Sequence, residues 1–168
     1  MRSLWGTASI FEDWLGTGPT AVTVATLLVL GAAALLFLVL HRLVLPIAAH
    51  LAGHTAFRWD DIVVDARFRR WSAAVLTLVA VRRAESLVPG LSDFWSEFWI
   101  RVAGGLAIVA GTLAVSAFLM ALNSVYETHP LATERPIKGY LQVVQIVAYT
   151  FGDIWAVAVL AGQTPWYL

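Results

Sequence analysis

Residues 15–40 carry no charged side chain, and their core, "AVTVATLLVLGAAALLFLVL" (residues 21–40), is apolar almost throughout. A helix rises 1.5 Å per residue, so about 20 such residues cross the hydrocarbon layer of a bilayer. The run therefore predicts a membrane span beginning near Pro19, whose fixed φ suits the first helical turn. Glu12 and Asp13 stand where a cleaved signal peptide would carry basic residues, and the run is longer than a signal-peptide core, so it is read as a retained span. Composition agrees: 60% of the 168 residues are hydrophobic and 13% are charged, which would leave a soluble domain of this length exposing too much apolar surface. Spans, not soluble domains, are the units of organisation.

Residues 102–126 form a second charge-free run. Gly104, Ala107, Gly111 and Ala114 recur along it at spacings of three and four, giving one thin face that another helix can approach closely. Two further spans are interrupted by charge. Residues 71–81 are uncharged, but Arg82 and Arg83 follow; in a helix over 68–88 they would lie about 8–9 Å below its end and snorkel outward, with Glu85 one turn from Arg82. A re-entrant or interfacial helix is the alternative for this segment. The last span, 137–161, contains Asp153. The expected fold is all-α: one multi-pass membrane region, 1–168, with four transmembrane helices at about 19–41, 68–88, 98–125 and 137–161. Loops 42–67 and 126–136 would lie at the inner face and loop 89–97 at the outer.

Direction follows from the basic residues. With the amino terminus outside, the inner segments hold Arg42, Arg58, Arg67, Arg69, Arg70, Arg135 and Lys138, seven in all, and the outer ones hold four, Arg2, Arg82, Arg83 and Arg101. The positive-inside rule thus favours an external amino terminus. Much of the excess sits in "RWDDIVVDARFRRW", where Arg58, Trp59, Arg67, Arg69 and Arg70 are expected to anchor the inner face. Trp14, Trp71, Trp95, Trp99 and Trp166 also fall near predicted span ends, where amphipathic rings favour the headgroup layer.

Chemistry is sparse. There are no cysteines, and 11 basic residues balance 11 acidic ones, so no thiol chemistry and no overall basic field for nucleic acid exist. Asp153 is the only acid well inside a span; charged and alone there it would cost several kcal/mol, roughly 3 on insertion scales. By helical rise it lies about 12 Å from the outer end of its span. Arg101 enters the neighbouring span from that side, so an intramembrane Asp153–Arg101 ion pair is expected, with a water-filled crevice or a proton relay as alternatives. "TFGDIW" resembles the Gly-x-Gly-Asp element of intramembrane aspartyl proteases only superficially, because Thr150 replaces the first glycine and no second span supplies an aspartate. His50 and His54 lack the Glu and third ligand of a zinc site. Asp60, Asp61 and Asp65 lie among arginines and read as a salt-bridged loop. No catalytic constellation, cofactor site or metal site emerges, and the chain is not expected to be an enzyme.

The segment "LATERPIKGYLQVVQIV" concentrates charge, proline and glycine before the last span. Pro136 suits a first helical turn, Arg135 and Lys138 hold that end in the headgroup layer, Glu134 offers local pairing, and Gly139 permits pivoting or close backbone approach. Taken with "RWDDIVVD", "NSVYETHPLATERPIKGYLQVVQIV" and "LAGQTP", the chain from about Arg58 onward resembles the amino-terminal membrane region of the small-conductance mechanosensitive channels, most closely their miniconductance branch. That resemblance implies a homo-oligomeric, heptameric channel of the bacterial inner membrane that opens under bilayer tension and releases solutes on hypo-osmotic shock, with membrane lipids as its other partner. It implies too that Glu134, Arg135, Pro136, Lys138 and Gly139 form a loop coupling sensor to pore. Such channels continue into a pore helix and a cytoplasmic β-rich domain, so the expectation is a fragment that does not conduct alone. The competing expectation is a stand-alone four-helix membrane protein, a small transporter or accessory subunit, using Asp153 with Arg101.

Overall fold

The computed structural model describes residues 18–47, 65–84, 87–88, 90–127 and 137–163. Four helices account for nearly all of them, and no strand occurs among the described residues. α1 spans Pro19–Val39, α2 Ala66–Ala84, α3 Asp93–Glu127 and α4 Lys138–Leu160. Three helical stretches, Thr20–Ile47, Asp93–Glu127 and Lys138–Leu160, are long and apolar enough to cross a membrane. α2 falls short because it carries Arg67, Arg69, Arg70, Arg82 and Arg83 within its 19 residues.

Local chemistry sets the helix ends. Gly18 is the N-cap of α1 and Pro19 opens it, as the sequence predicts. The first helix does not stop near residue 41: a π-helical turn, Leu40–Val44, carries it on to Ile47. Pro46 supplies the cause, since its ring would clash with the carbonyl four residues back and it has no N–H to donate. The wider turn absorbs the clash, with the Leu45 N–H reaching the Leu40 carbonyl. α2 opens on Asp65, whose Oδ1 accepts the Arg67 and Phe68 amides at 2.8 and 2.9 Å. Asp65 is thus a helix cap, a role the salt-bridged-loop reading did not give it; Asp60 and Asp61 lie outside the described residues. Gly90, at φ 72°, makes the left-handed turn between α2 and α3. α3 begins at Asp93, inside the expected outer loop, because an acid in the first turn complements the helix dipole.

Register shows how the helices pack. As α2 descends through Arg82, Val75 and Phe68, the facing α3 positions rise through Gly104, Gly111 and Phe118. The two are therefore antiparallel and advance seven residues per contact layer, the repeat of left-handed helix pairs. Trp99 Nε1 adds a 3.1 Å hydrogen bond to the Val81 carbonyl. α4 is likewise antiparallel to α3: Gly104, Thr112 and Ser116 meet Val159, Gly152 and Tyr149. α1 packs chiefly on α2.

The central helix is α3, and its two flanks explain its burial. Ala103, Ala110, Ala114, Ala117 and Ala121 form one buried stripe, and Gly105, Ser116 and Leu119 lie on another. Buried apolar residues are mostly alanine, whereas Leu27, Leu35, Phe94, Ile146, Phe151 and many other large side chains face outward. That distribution suits a hydrocarbon surround, where close backbone approach and dispersion replace the water-driven collapse of a soluble core. Several hydroxyls along the helices are satisfied within their own helix, as Thr26, Thr112 and Thr150 donate to the carbonyls of Val22, Ile108 and Ile146, whereas the buried Thr77 hydroxyl has no hydrogen-bond partner among the described residues.

Candidate functional site

A cluster of uncharged polar side chains forms where α3 meets α4. Ser116 is buried on α3; its Oγ accepts the Tyr149 hydroxyl at 2.8 Å, and Gln145 Nε2 reaches both the Ser116 carbonyl and its Oγ at 3.3 Å. Gln145 and Tyr149 stand one helical turn apart on α4, so both project to the same neighbour. Seven residues beyond Gln145, Gly152 lies against Thr112, and a Cβ there would fall on Thr112 Oγ1 and stand 3.0 Å from its Cβ and Cγ2. Further along, a Cβ on Gly104 would stand 3.2 Å from Val159 Cγ1, and one on Gly105 only 2.9 Å from Leu160 Cγ. The expected thin face of α3 is real at Gly104 but serves both neighbours, since Gly104 also meets Arg82 and Gly111 faces Val75.

The end of this helix pair at which α4 terminates is closed by backbone geometry. α4 terminates with Gly162 at φ 70°, the Gln163 amide bonded to the Ala158 carbonyl and the Gly162 amide to that of Val159. This is the glycine-ended cap that satisfies the last carbonyls of a helix. The Arg101 guanidinium, reaching from α3, occupies the space where a Cβ on Gly162 would stand. Its ion-pair partner is Glu97, one turn back on the same helix.

The expected Arg101–Asp153 pair is therefore not formed. Arg101 lies level with Gly162, nine residues and about 13 Å along α4 from Asp153. Asp153 also points elsewhere: Gly152 faces α3, and one residue turns the helix about 100°, leaving Asp153 exposed. Depth along the axis was legible in the sequence; rotation about it was not.

At the opposite end, Glu127 and Lys138 share an open cleft of about 340 Å³ with Asn123, Gln142 and Gln145. Lys138 and Gly139 are exposed in the first turn of α4, with open space around Gly139. Glu134, Arg135 and Pro136, the rest of the expected coupling loop, lie outside the described residues, as do Arg58, Trp59, His50, His54 and Glu85. Of the expected anchors, Arg67, Arg69 and Arg70 fall in the first turns of α2, and the Arg70 guanidinium lies 5.5 Å from the Trp71 ring centroid. Among the described residues, no group of three His, Asp or Glu side chains is placed to hold a metal ion.

The Ser116, Gln145 and Tyr149 cluster was missed in the sequence because none of the three is charged. Its signal is the pair of polar residues at 145 and 149, four apart within an apolar run. Comparison with protein-family models, with curated proteins and with solved structures finds no match.

Proposed function

We propose that this chain is a tension-sensing membrane region of a mechanosensitive channel, working as part of a homo-oligomer in a bacterial inner membrane. The observation that carries the reading is the outward display of large apolar side chains on helices that meet through alanine and glycine. Such a surface couples to lipid over its whole height, while the helices beneath can shift with few directional bonds to break. Tension favours whichever arrangement occupies more membrane area, and a switch moves only as far as its two states differ in that interaction. The loop sequences described above add the resemblance to small-conductance channels.

In this reading all four helices cross the membrane, with the amino terminus outside. The lateral alignment of α2 with α3 from Arg82 to Phe68 supports a full crossing for α2. Its uncharged middle would occupy the hydrocarbon, and the arginines at its two ends would reach the opposite headgroup layers.

Two measurements test this. The first places spin labels at Leu35→Cys on α1 and Ile146→Cys on α4 of the chain in liposomes, then adds lysophosphatidylcholine to one leaflet to mimic tension. The expected result is a changed distance distribution; an unchanged one overturns the sensing role. The second is patch recording from cells lacking their own mechanosensitive channels, with the gene product expressed. From this chain alone, a sensor region without a pore, no pressure-gated current is expected, whereas solute uptake driven by a proton gradient and abolished by Asp153→Asn would establish a transporter instead.

A further inference from the structure

α1 and α3 both lean on α2 but hardly touch each other. Between them lies a groove of about 460 Å³, with Ala34 and Phe37 on one wall, Phe98 and Trp99 on the other, and Thr77 and Leu78 of α2 in its floor. That volume falls within the roughly 300–1,000 Å³ of small-molecule sites. The Trp99 indole N–H is already spent on the Val81 carbonyl. Among the described residues, Thr77 therefore brings the one uncommitted polar side-chain group to a lining that is otherwise apolar.

Thr77 is only 8% exposed, and its hydroxyl has no hydrogen-bond partner among the described residues. Its own helix offers an outlet: Thr26, Thr112 and Thr150 each donate to the carbonyl four residues back, and Thr77 makes no such bond. A buried hydroxyl left unbonded is costly, so the position calls for an acceptor from outside the chain. Rotation about Cα–Cβ between staggered positions exchanges hydroxyl and methyl and carries the hydroxyl over the groove floor without moving the backbone.

Depth narrows what that acceptor can be. Arg82 faces Gly104 and Val75 faces Gly111, so Thr77 stands level with Val109, beside the middle of the 35-residue α3. Mid-span is about 15 Å from either edge of the hydrocarbon layer. The ester oxygens of a phospholipid lie at that edge and its tails carry no acceptor, so an ordinary lipid fills the groove but leaves Thr77 unbonded.

We propose that this groove binds an uncharged ring carbonyl compound dissolved in the membrane, the chemistry of an isoprenoid quinone. The ring lies among Phe37, Phe98 and Trp99, whose aromatic side chains suit a flat partner. One ring carbonyl accepts the Thr77 hydroxyl, and the apolar tail leaves through the open side of the groove into lipid. The inference rests on the groove alone and stands whether or not the chain senses tension.

The test is photolabelling of the full chain in lipid nanodiscs with a short-tailed azidoquinone, followed by mass spectrometry of the labelled peptides. Label is expected on residues 30–37 and 98–106, displaced by the unlabelled quinone. A naphthalene carrying the same tail, which has no carbonyl, is expected to compete about fivefold or more less well. Thr77→Val should weaken the quinone to the level of the naphthalene and leave the naphthalene unchanged, whereas Thr77→Ser keeps the hydroxyl and should retain quinone affinity. Ala34→Phe, at an exposed position of the wall, should exclude both. Label spread equally over the outward side chains of α4, equal competition by quinone and naphthalene, or a quinone affinity undiminished in Thr77→Val would each overturn the site.

Discussion

The Tyr149 hydroxyl donates a 2.8 Å hydrogen bond to Ser116 Oγ, joining α4 to α3 along two helices long and apolar enough to cross a membrane. Bonds of this kind between membrane helices contribute about 0.6 kcal/mol on average and at most about 1.7, because the separated helices find other partners. Tyr149→Phe is expected to lower stability within that range. Ser116→Ala should cost more, since it also removes the Oγ contact of Gln145. Unfolding equilibria in bilayer discs would measure both, and a Tyr149→Phe variant as stable as the parent would show the bond to be incidental.

Glycine positions divide sharply by what surrounds them. Gly152→Ala drives a methyl group into Thr112 and is expected to cost about 1–3 kcal/mol through forced separation of the helices. Gly31→Ala and Gly139→Ala enter open space and should be neutral or stabilising by up to about 1 kcal/mol. Thermal unfolding of the three variants gives the comparison, and equal effects would contradict the close approach at Gly152.

Those glycines also show what the sequence could and could not reveal. The small residues of α3 predicted a close helix neighbour, but their spacing is compatible with either flank, and in the structure Gly104 and Gly111 both meet α2 while Gly104 also meets α4. The charge-free runs located α1 and α3, and Pro19 located the start of α1, because length and apolarity are one-dimensional properties. α2 stayed ambiguous because arginines at both ends of a short apolar stretch fit a crossing helix and an interfacial one alike. Arg101 and Asp153 were matched by the side from which each enters its span, and the pairing failed on distance and on rotation: the arginine, about 13 Å along the axis from Asp153, turned to Glu97 on its own helix and to the end of α4.

At the C-terminal end of α4, conformation and contact act together. Gly162→Ala must hold an L-residue at φ 70° and displace the Arg101 guanidinium, so a loss of about 1–2 kcal/mol or more is expected. Glu97→Gln removes only an exposed ion pair and should change stability by less than about 1 kcal/mol. Amide exchange at Gln163, whose N–H bonds to Ala158 in this cap, should accelerate in the first variant and not in the second.

Orientation is checked by chemical access. Asp93→Cys and Glu127→Cys mark the two ends of α3. In intact cells an impermeant maleimide is expected to label the first and spare the second until the membrane is opened. The reverse pattern would place the amino terminus inside.

Asp65 makes a separate prediction for the start of α2. Asp65→Ala removes the acceptor of the Arg67 and Phe68 amides and is expected to cost about 1 kcal/mol, whereas Asp65→Asn should retain most of the capping. Exchange at those two amides distinguishes loss of the cap from a general loosening.

The alanines and glycines beneath the large outward side chains reverse the usual map of tolerated change. In a water-soluble protein the interior is where a bulky side chain is at home and the surface is where it is conspicuous. Here exchange of one large apolar residue for another on the exterior, such as Leu35→Phe, should pass unnoticed. A single added methyl group at Ala73, Ala110 or Gly152 should register at once. A saturation library would therefore find its intolerant sites among the smallest residues of the chain and its permissive ones among the largest.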